Sequence, residues 1–103
     1  MDDPNQIEPP PSFLAIYSTP SGNRLTEPVA VVRDRYELCE DLAQMLTGQA
    51  SLNQAQDPRE QREVLAKTQA ALEGPESPVQ PAEAQWVVRR LAELLAWEPP
   101  PES

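Results

Sequence analysis

The chain has 103 residues, of which 17 are acidic and 8 basic, and it contains no histidine and one cysteine. This length fits one domain. Without histidine there is no imidazole for a catalytic triad, a proton shuttle or a metal site, and a single cysteine can form neither an internal disulfide nor a thiolate zinc site. The net charge of −9 opposes binding to nucleic acid phosphates and to anionic lipid.

Membrane contact and secretion are not expected either. No apolar run approaches the roughly 20 residues that a membrane span needs. The first residues are acidic and lack the apolar core of a secretory signal, and the low cysteine content fits a reducing compartment. The sequence therefore predicts a cytoplasmic protein that has no nucleic acid partner and does not bind membranes.

Proline positions divide the chain. Residues 1–11 and 98–103 each contain a run of three prolines and are predicted to be disordered tails, because such runs favour extended backbone and end helices. Residues 12–97 are predicted to form a single helical domain. Its first segment, S-F-L-A-I-Y at 12–17, is apolar without a clear period, which predicts an extended apolar arm, with a short strand as the alternative. A turn is predicted at 20–23, where proline, serine, glycine and asparagine follow one another.

Hydrophobic periodicity predicts three helices in this domain, at about residues 27–48, 58–73 and 81–97. Thr26 is the predicted N-cap of the first, with Pro28 in its first turn. Asp57 caps the second, with Pro58 at the first helical position, and Gly74 ends it. The predicted fold is all-α: a small three-helix bundle with an N-terminal extended arm and disordered proline-rich tails.

Two of the predicted helices have unusually wide apolar arcs. In the first helix a main apolar stripe is widened by a second set of side chains, so that the arc covers about half of the circumference and indicates two neighbours. The residues of this second set are Val31, Leu38, Leu42 and Met45. The third helix is apolar over about two thirds of its circumference, because Trp86 and Trp97 lie about 130° from its aliphatic stripe. Such a helix either is central or contacts a partner.

The candidate partner-binding residues are aromatic, apart from one arginine: Trp86, Arg90 and Trp97, with Phe13 and Tyr17. Two interpretations of Arg90 are open. Its guanidinium reaches water or a carboxylate while its methylenes cover apolar surface, or it stacks between the tryptophans as a binding hot spot. The aromatic side chains likewise are either covered by residues 12–17 in a single core or exposed as a partner site.

Catalytic motifs are not evident. The chain has three glycines and no G-x-x-x-x-G-K-[ST] phosphate loop, so no nucleotide cradle is predicted. Cys39 lies on an apolar helix stripe and has no histidine base, which predicts a buried structural cysteine. Glu37, Glu40 and Asp41 have the spacing of an ordinary solvated helix face and lack the ligand alternation of a calcium loop. We therefore expect no enzyme activity, no cofactor and no metal.

Three segments carry a resemblance to a known family: I-E-P-P-P-S-F-L-A-I-Y, R-Y-E-L-C-E-D-L-A-Q-M-L and A-E-A-Q-W-V-V-R-R-L-A-E-L-L-A-W. Together they resemble a family of short bacterial proteins sometimes labelled "ATPase with chaperone activity". The resemblance extends over most of the chain, with residues 48–60 and the tails as its poorest match. It implies a chaperone-like bacterial protein and assigns no functional residue.

The predicted function is a non-enzymatic cytosolic protein-interaction module, either an adaptor or a chaperone-like regulator that binds a protein partner through an aromatic helix face. Both a monomer and a homodimer are compatible with it, since a two-fold dimer needs one self-complementary patch. One alternative is an acidic nucleic-acid mimic that inhibits a DNA-binding protein, although five of the 17 acidic residues lie in the tails. The other alternative is a small enzyme or enzyme subunit.

Overall fold

The computed structural model describes residues 8–52 and 55–100, and its secondary structure is helical, which confirms the all-α prediction. The helices are α1 Pro11–Leu14, α2 Val29–Leu52, α3 Pro58–Leu72 and α4 Pro81–Leu95, and a 3-10 turn, Ala15–Tyr17, follows α1. The chain divides into two compact units, one that ends at Leu38 and one that begins at Cys39, so that α2 contributes to both. The single-domain organisation and the three-helix bundle stay predictions.

The N-terminal segment is helical, which corrects the predicted extended arm at 12–17. Pro11 occupies the first helical position, where its fixed φ favours the turn. Phe13 and Tyr17 are four residues apart, so helical backbone brings their rings to one side, with centroids 5.9 Å apart. The Phe13 ring also meets Tyr36 edge-on at 5.5 Å. Helical backbone is favoured because it gathers these aromatic rings, whereas an extended segment would not.

The predicted turn at 20–23 is confirmed. Gly22 has a φ of +77° and its N–H donates to the Thr19 carbonyl over 2.8 Å. The prediction for Thr26 is wrong, because its N–H donates to the Tyr17 carbonyl over 2.6 Å and its hydroxyl donates to the same oxygen over 3.2 Å. Thr26 thus ties the loop back to the 3-10 turn, and α2 begins at Val29, two residues after the predicted start.

Helix α2 continues four residues beyond its predicted end at Gly48 and ends at Leu52. Gly48 does not take the left-handed conformation of a C-terminal glycine. Ala50, in the next turn, is buried. Burial in this last turn offsets the cost of a glycine inside the helix, which is about 1 kcal/mol relative to alanine.

Helix α3 begins as the sequence predicts and packs closely against α4 in the C-terminal unit. The Asp57 carboxylate accepts a hydrogen bond from the Glu60 N–H over 2.9 Å, which is the predicted N-cap. Leu65 and Leu72 are its buried side chains. The helix ends at Leu72, one residue before its predicted end.

A buried carboxylate stabilises the start of α4. The N–H of Gln80 donates to the Glu83 side chain over 2.9 Å. Glu83 therefore provides an acceptor for a backbone N–H that has no partner within the helix. Glu83 is completely buried. This hydrogen bond offsets part of the cost of burying a polar side chain inside the unit.

The end of α4 differs from the prediction, which extended the helix to Trp97. The helix ends at Leu95, because Ala96 adopts a left-handed φ of +57°. The N–H of Trp97 then donates to the Ala92 carbonyl over 2.8 Å, which closes the helix in a Schellman-type cap.

Parts of the predicted tails, 1–11 and 98–103, lie outside the described residues, namely 1–7 and 101–103. Within the described part, residues 8–10 and 98–100 are not helical, and Pro11 belongs to α1.

Candidate protein-interaction surface

Most of the aromatic side chains predicted to bind a partner are buried. Phe13 is 0% exposed and Trp86 is 8% exposed, and Tyr17 is also buried. Trp97 is half-buried. This burial argues against the interpretation in which the aromatic rings form an exposed patch.

The predicted alignment of Trp86 with Trp97 depends on an unbroken helix between them. The sequence places both on one face only if α4 stays helical through Trp97, and the left-handed Ala96 interrupts the helix before it. The angular relation of the two indoles therefore does not follow from helix periodicity. The predicted face built on them loses its geometric basis.

Arg90 is held by carboxylates, in agreement with the first of its two interpretations. Its Nε donates to both oxygens of Glu40, over 2.7 and 3.2 Å. Its Nη1 donates to Glu93, one turn along α4, over 3.1 Å. Within the C-terminal unit, this arginine thus links α4 to α2.

The Glu40–Arg90 pair shifts both ionisation equilibria. Burial by itself raises the pKa of Glu40, but the hydrogen bonds from Arg90 and Gln44 and the positive charge of Arg90 lower it to below its ordinary value. The hydrogen bond to Glu40 raises the pKa of Arg90 against the opposing effect of burial. Both groups are charged at neutral pH, and the pair is a structural ion pair rather than a proton-transfer site.

The large apolar side chains that remain exposed in the described residues all lie on α2. They are Val29, Val31, Leu38, Met45 and Leu52. Four of them follow one another at intervals of seven residues, from Val31 to Leu52. Leu42, which is half-buried, lies between the second and the third of these on the same face. We call Val31, Leu38, Leu42, Met45 and Leu52 the α2 stripe.

The α2 stripe is distinct from the side of α2 that is buried. The buried residues of α2 are Val32, Cys39, Ala43 and Ala50, which share one line along the helix. At about 100° per residue, the α2 stripe lies about 120° around the helix from that line. Because all of these residues belong to one continuous helix, their angular relation depends on α2 alone. Met45 is 59% exposed and Leu52 is 83% exposed, so the α2 stripe faces solvent most strongly toward its C-terminal end.

Acidic side chains border the α2 stripe on its solvent side. Asp34, Glu37 and Asp41 are exposed and lie on the margin opposite the buried line; we call them the acidic edge. Arg35, half-buried, lies between the α2 stripe and the buried line. The α2 stripe therefore presents apolar surface with a negative border on its solvent side and one arginine on the other side.

Other chemistry in the described residues is sparse. Cys39 is buried, as predicted from its position on the apolar stripe. Within residues 8–52 and 55–100, no three acidic or cysteine side chains are grouped so as to hold a metal ion. The helices of this part of the chain are also too short or too polar to cross a membrane.

The sequence contains a signal for the α2 stripe, although its aromatic residues predicted a binding site elsewhere. The wide apolar arc of the first predicted helix indicates two neighbours, and the seven-residue spacing from Val31 to Met45 is visible without a structure. Leu52 was beyond the predicted end of that helix. Comparisons with protein-family models, curated proteins and solved structures give no match, so the surface is interpreted from its own chemistry.

Proposed function

We propose that the protein is a non-enzymatic protein-interaction module, an adaptor or chaperone-like regulator, and that it binds a helix of another protein along the α2 stripe. The observation that carries this proposal is that the large apolar side chains exposed in the described residues all lie on one helix, four of the five at seven-residue intervals. Single exposed apolar residues are ordinary on a protein surface, whereas a contiguous set marks an interaction site.

The spacing favours a helical partner. Apolar residues that repeat every seven positions form a nearly straight seam, and such seams pack against a second helix whose side chains insert between them. From Val31 to Leu52, the seam along α2 is about 32 Å long. This length matches a helix-in-groove or coiled-coil contact better than it matches a compact pocket.

The aromatic residues have a supporting role in this proposal. Buried Phe13, Tyr17 and Trp86 stabilise the units that contain them, while Arg90 is engaged with Glu40. The proposed interaction surface is therefore the α2 stripe and not the predicted aromatic face. The protein-interaction function and the cytoplasmic location proposed here are those that the sequence predicts.

Site-specific photo-crosslinking in cells that make the protein tests this proposal. A benzophenone amino acid replaces Met45, and a matched protein carries it at Val29. The two positions are equally suited to the probe, because they are 59% and 56% exposed on the same helix. They differ in direction, since Val29 lies about 160° around the helix from Met45.

The proposal predicts a crosslinked adduct with a second, different protein from position 45, and little or none from position 29. Mass spectrometry of the adduct identifies the partner and the crosslinked segment. Equal labelling from both positions, or no adduct from position 45, contradicts the proposal. An adduct that contains two copies of this chain would show self-association and would contradict binding to a different protein.

A further inference from the structure

Building on the proposed function, we infer the chemistry of the partner: a basic amphipathic helix of another protein, with an apolar seam that packs on the α2 stripe and lysine or arginine side chains that face the acidic edge. The observation beneath this inference is the charge border of the α2 stripe. Its solvent-side margin carries Asp34, Glu37 and Asp41.

The acidic edge lies where the flanking residues of a docked helix would come. In helix pairs of this kind, the positions beside the apolar seam carry the charges that choose the partner and its orientation. Two carboxylates, Asp34 and Asp41, are seven residues apart and so recur along the seam with the same period as its apolar residues. A helix with cations at a matching period would meet both of them.

A second copy of α2 lacks this complementarity. In a parallel pair, the second copy would bring the same acidic edge and no row of cations to meet it. In an antiparallel pair centred near Leu42, Asp41 of each copy would approach the other. Like charges juxtaposed at an interface act against that pairing.

An anionic surface is disfavoured for the same reason. The exposed carboxylates beside the α2 stripe would repel lipid phosphates, and the chain carries a net charge of −9. An amphipathic helix that inserts into such a membrane has lysine and arginine on its polar face, which is the opposite pattern. The charge therefore selects a cationic partner.

Two synthetic helical peptides serve as probes. Each has about three heptads with leucine at the seam positions, and the flanking positions are all lysine in one peptide and all glutamate in the other. Fluorescence anisotropy of the labelled peptides measures binding to the full chain. We expect the lysine peptide to bind at least about tenfold more tightly than the glutamate peptide, and its affinity to fall as salt screens the charges.

Variants of the protein separate the apolar and the charged contributions. Met45→Gln with Leu52→Gln is expected to weaken the lysine peptide at least about tenfold. Val29→Gln, on the same helix but away from the α2 stripe, is expected to leave binding unchanged. Asp34→Asn with Asp41→Asn is expected to weaken the lysine peptide several-fold and to remove its salt dependence in part. Glu63→Gln with Glu73→Gln changes the net charge equally at exposed sites of the α3 region and is the control.

Each outcome tests a different part of the inference. If both peptides bind equally, the basic character of the partner is wrong while the α2 stripe keeps its role. If the lysine peptide binds but Met45→Gln with Leu52→Gln has no effect, the attraction is nonspecific charge and the inference fails. Concentration-dependent dimerisation that this double variant abolishes identifies a second copy as the occupant and overturns the inference. A crosslinked foreign partner together with no peptide binding would leave the proposed function standing and reject the basic helix.

Discussion

Helices α2 and α4 both carry apolar arcs too wide for a single neighbour, yet they use them differently. On α4, the side chains of Val87, Val88 and Leu91 are completely buried and Trp86 is nearly so. On α2, a comparable set of apolar side chains, including Met45, faces solvent. The width of an apolar arc thus predicts how many neighbours a helix has, but not whether the same chain supplies them.

The largest expected effect tests the buried side of this comparison. Leu91→Ala should lower the free energy of unfolding by about 2–5 kcal/mol, because the leucine is completely buried and its removal leaves a cavity. Met45→Ala, a truncation of similar size on the α2 stripe, should cost less than about 0.5 kcal/mol. Urea unfolding of both variants measures the difference. A cost below about 1 kcal/mol for Leu91→Ala would contradict the complete burial of this side chain.

The start of α4 provides the second test. Glu83→Ala should cost about 1–3 kcal/mol, because it leaves the Gln80 N–H without its acceptor and removes a completely buried side chain. Glu83→Gln keeps an oxygen acceptor in place and should cost less. Thermal unfolding followed by circular dichroism compares the variants. Equal stability of Glu83→Ala and the wild type would contradict the capping role of this buried carboxylate.

The polar link between α2 and α4 makes a smaller, pH-dependent contribution. The folded-state pKa of Glu40 is lowered, so its stabilisation is fully present above the pKa of the unfolded chain and is lost as the pH falls through the folded-state pKa. Glu40→Gln should therefore cost about 0.5–1 kcal/mol at neutral pH, a value reduced by the partial exposure of the pair. Below about pH 4, the difference from the wild type should shrink toward zero.

Glu37→Gln is the control for this measurement, because Glu37 is exposed on the same helix. Its free energy of unfolding should stay within about 0.5 kcal/mol of the wild type at neutral pH. A Glu40→Gln penalty that persists unchanged in acid would show that packing, rather than the charge of the ion pair, is responsible.

The end of α4 offers a gain in stability. Ala96 holds a left-handed backbone that costs a non-glycine residue free energy, so Ala96→Gly should raise the free energy of unfolding by about 0.5–1 kcal/mol. Ala82→Gly, inside α4, should lower it by a similar amount. If both substitutions destabilise, α4 continues through Ala96, and Trp97 returns to the face predicted for it.

The sequence predicted local features well where a single residue type determines them. Asp57 before Pro58 marked the start of α3, and Gly22 marked a turn, because capping and left-handed backbone depend on few atoms. The helical segment at 12–17 was predicted wrongly. The four-residue spacing of Phe13 and Tyr17 is its signal, and it is weak in so short an element.

The candidate surface could be predicted only in part. The sequence indicated a second neighbour for the first helix, but burial of large aromatic residues and exposure of smaller aliphatic ones depend on packing among distant segments. Trp86 is buried and Leu52 is exposed, the reverse of what residue size alone suggests for a binding site. The candidate surface is therefore on α2 and not on α4.

The most direct test of the central claim is the stability of the double variant Met45→Gln with Leu52→Gln in the isolated protein. If the α2 stripe serves a partner and not the fold, the free energy of unfolding in urea should remain within about 0.5 kcal/mol of the wild type, as for Val29→Gln. A loss above about 2 kcal/mol would show that the protein's own packing uses these side chains, and the proposed interaction surface would be wrong.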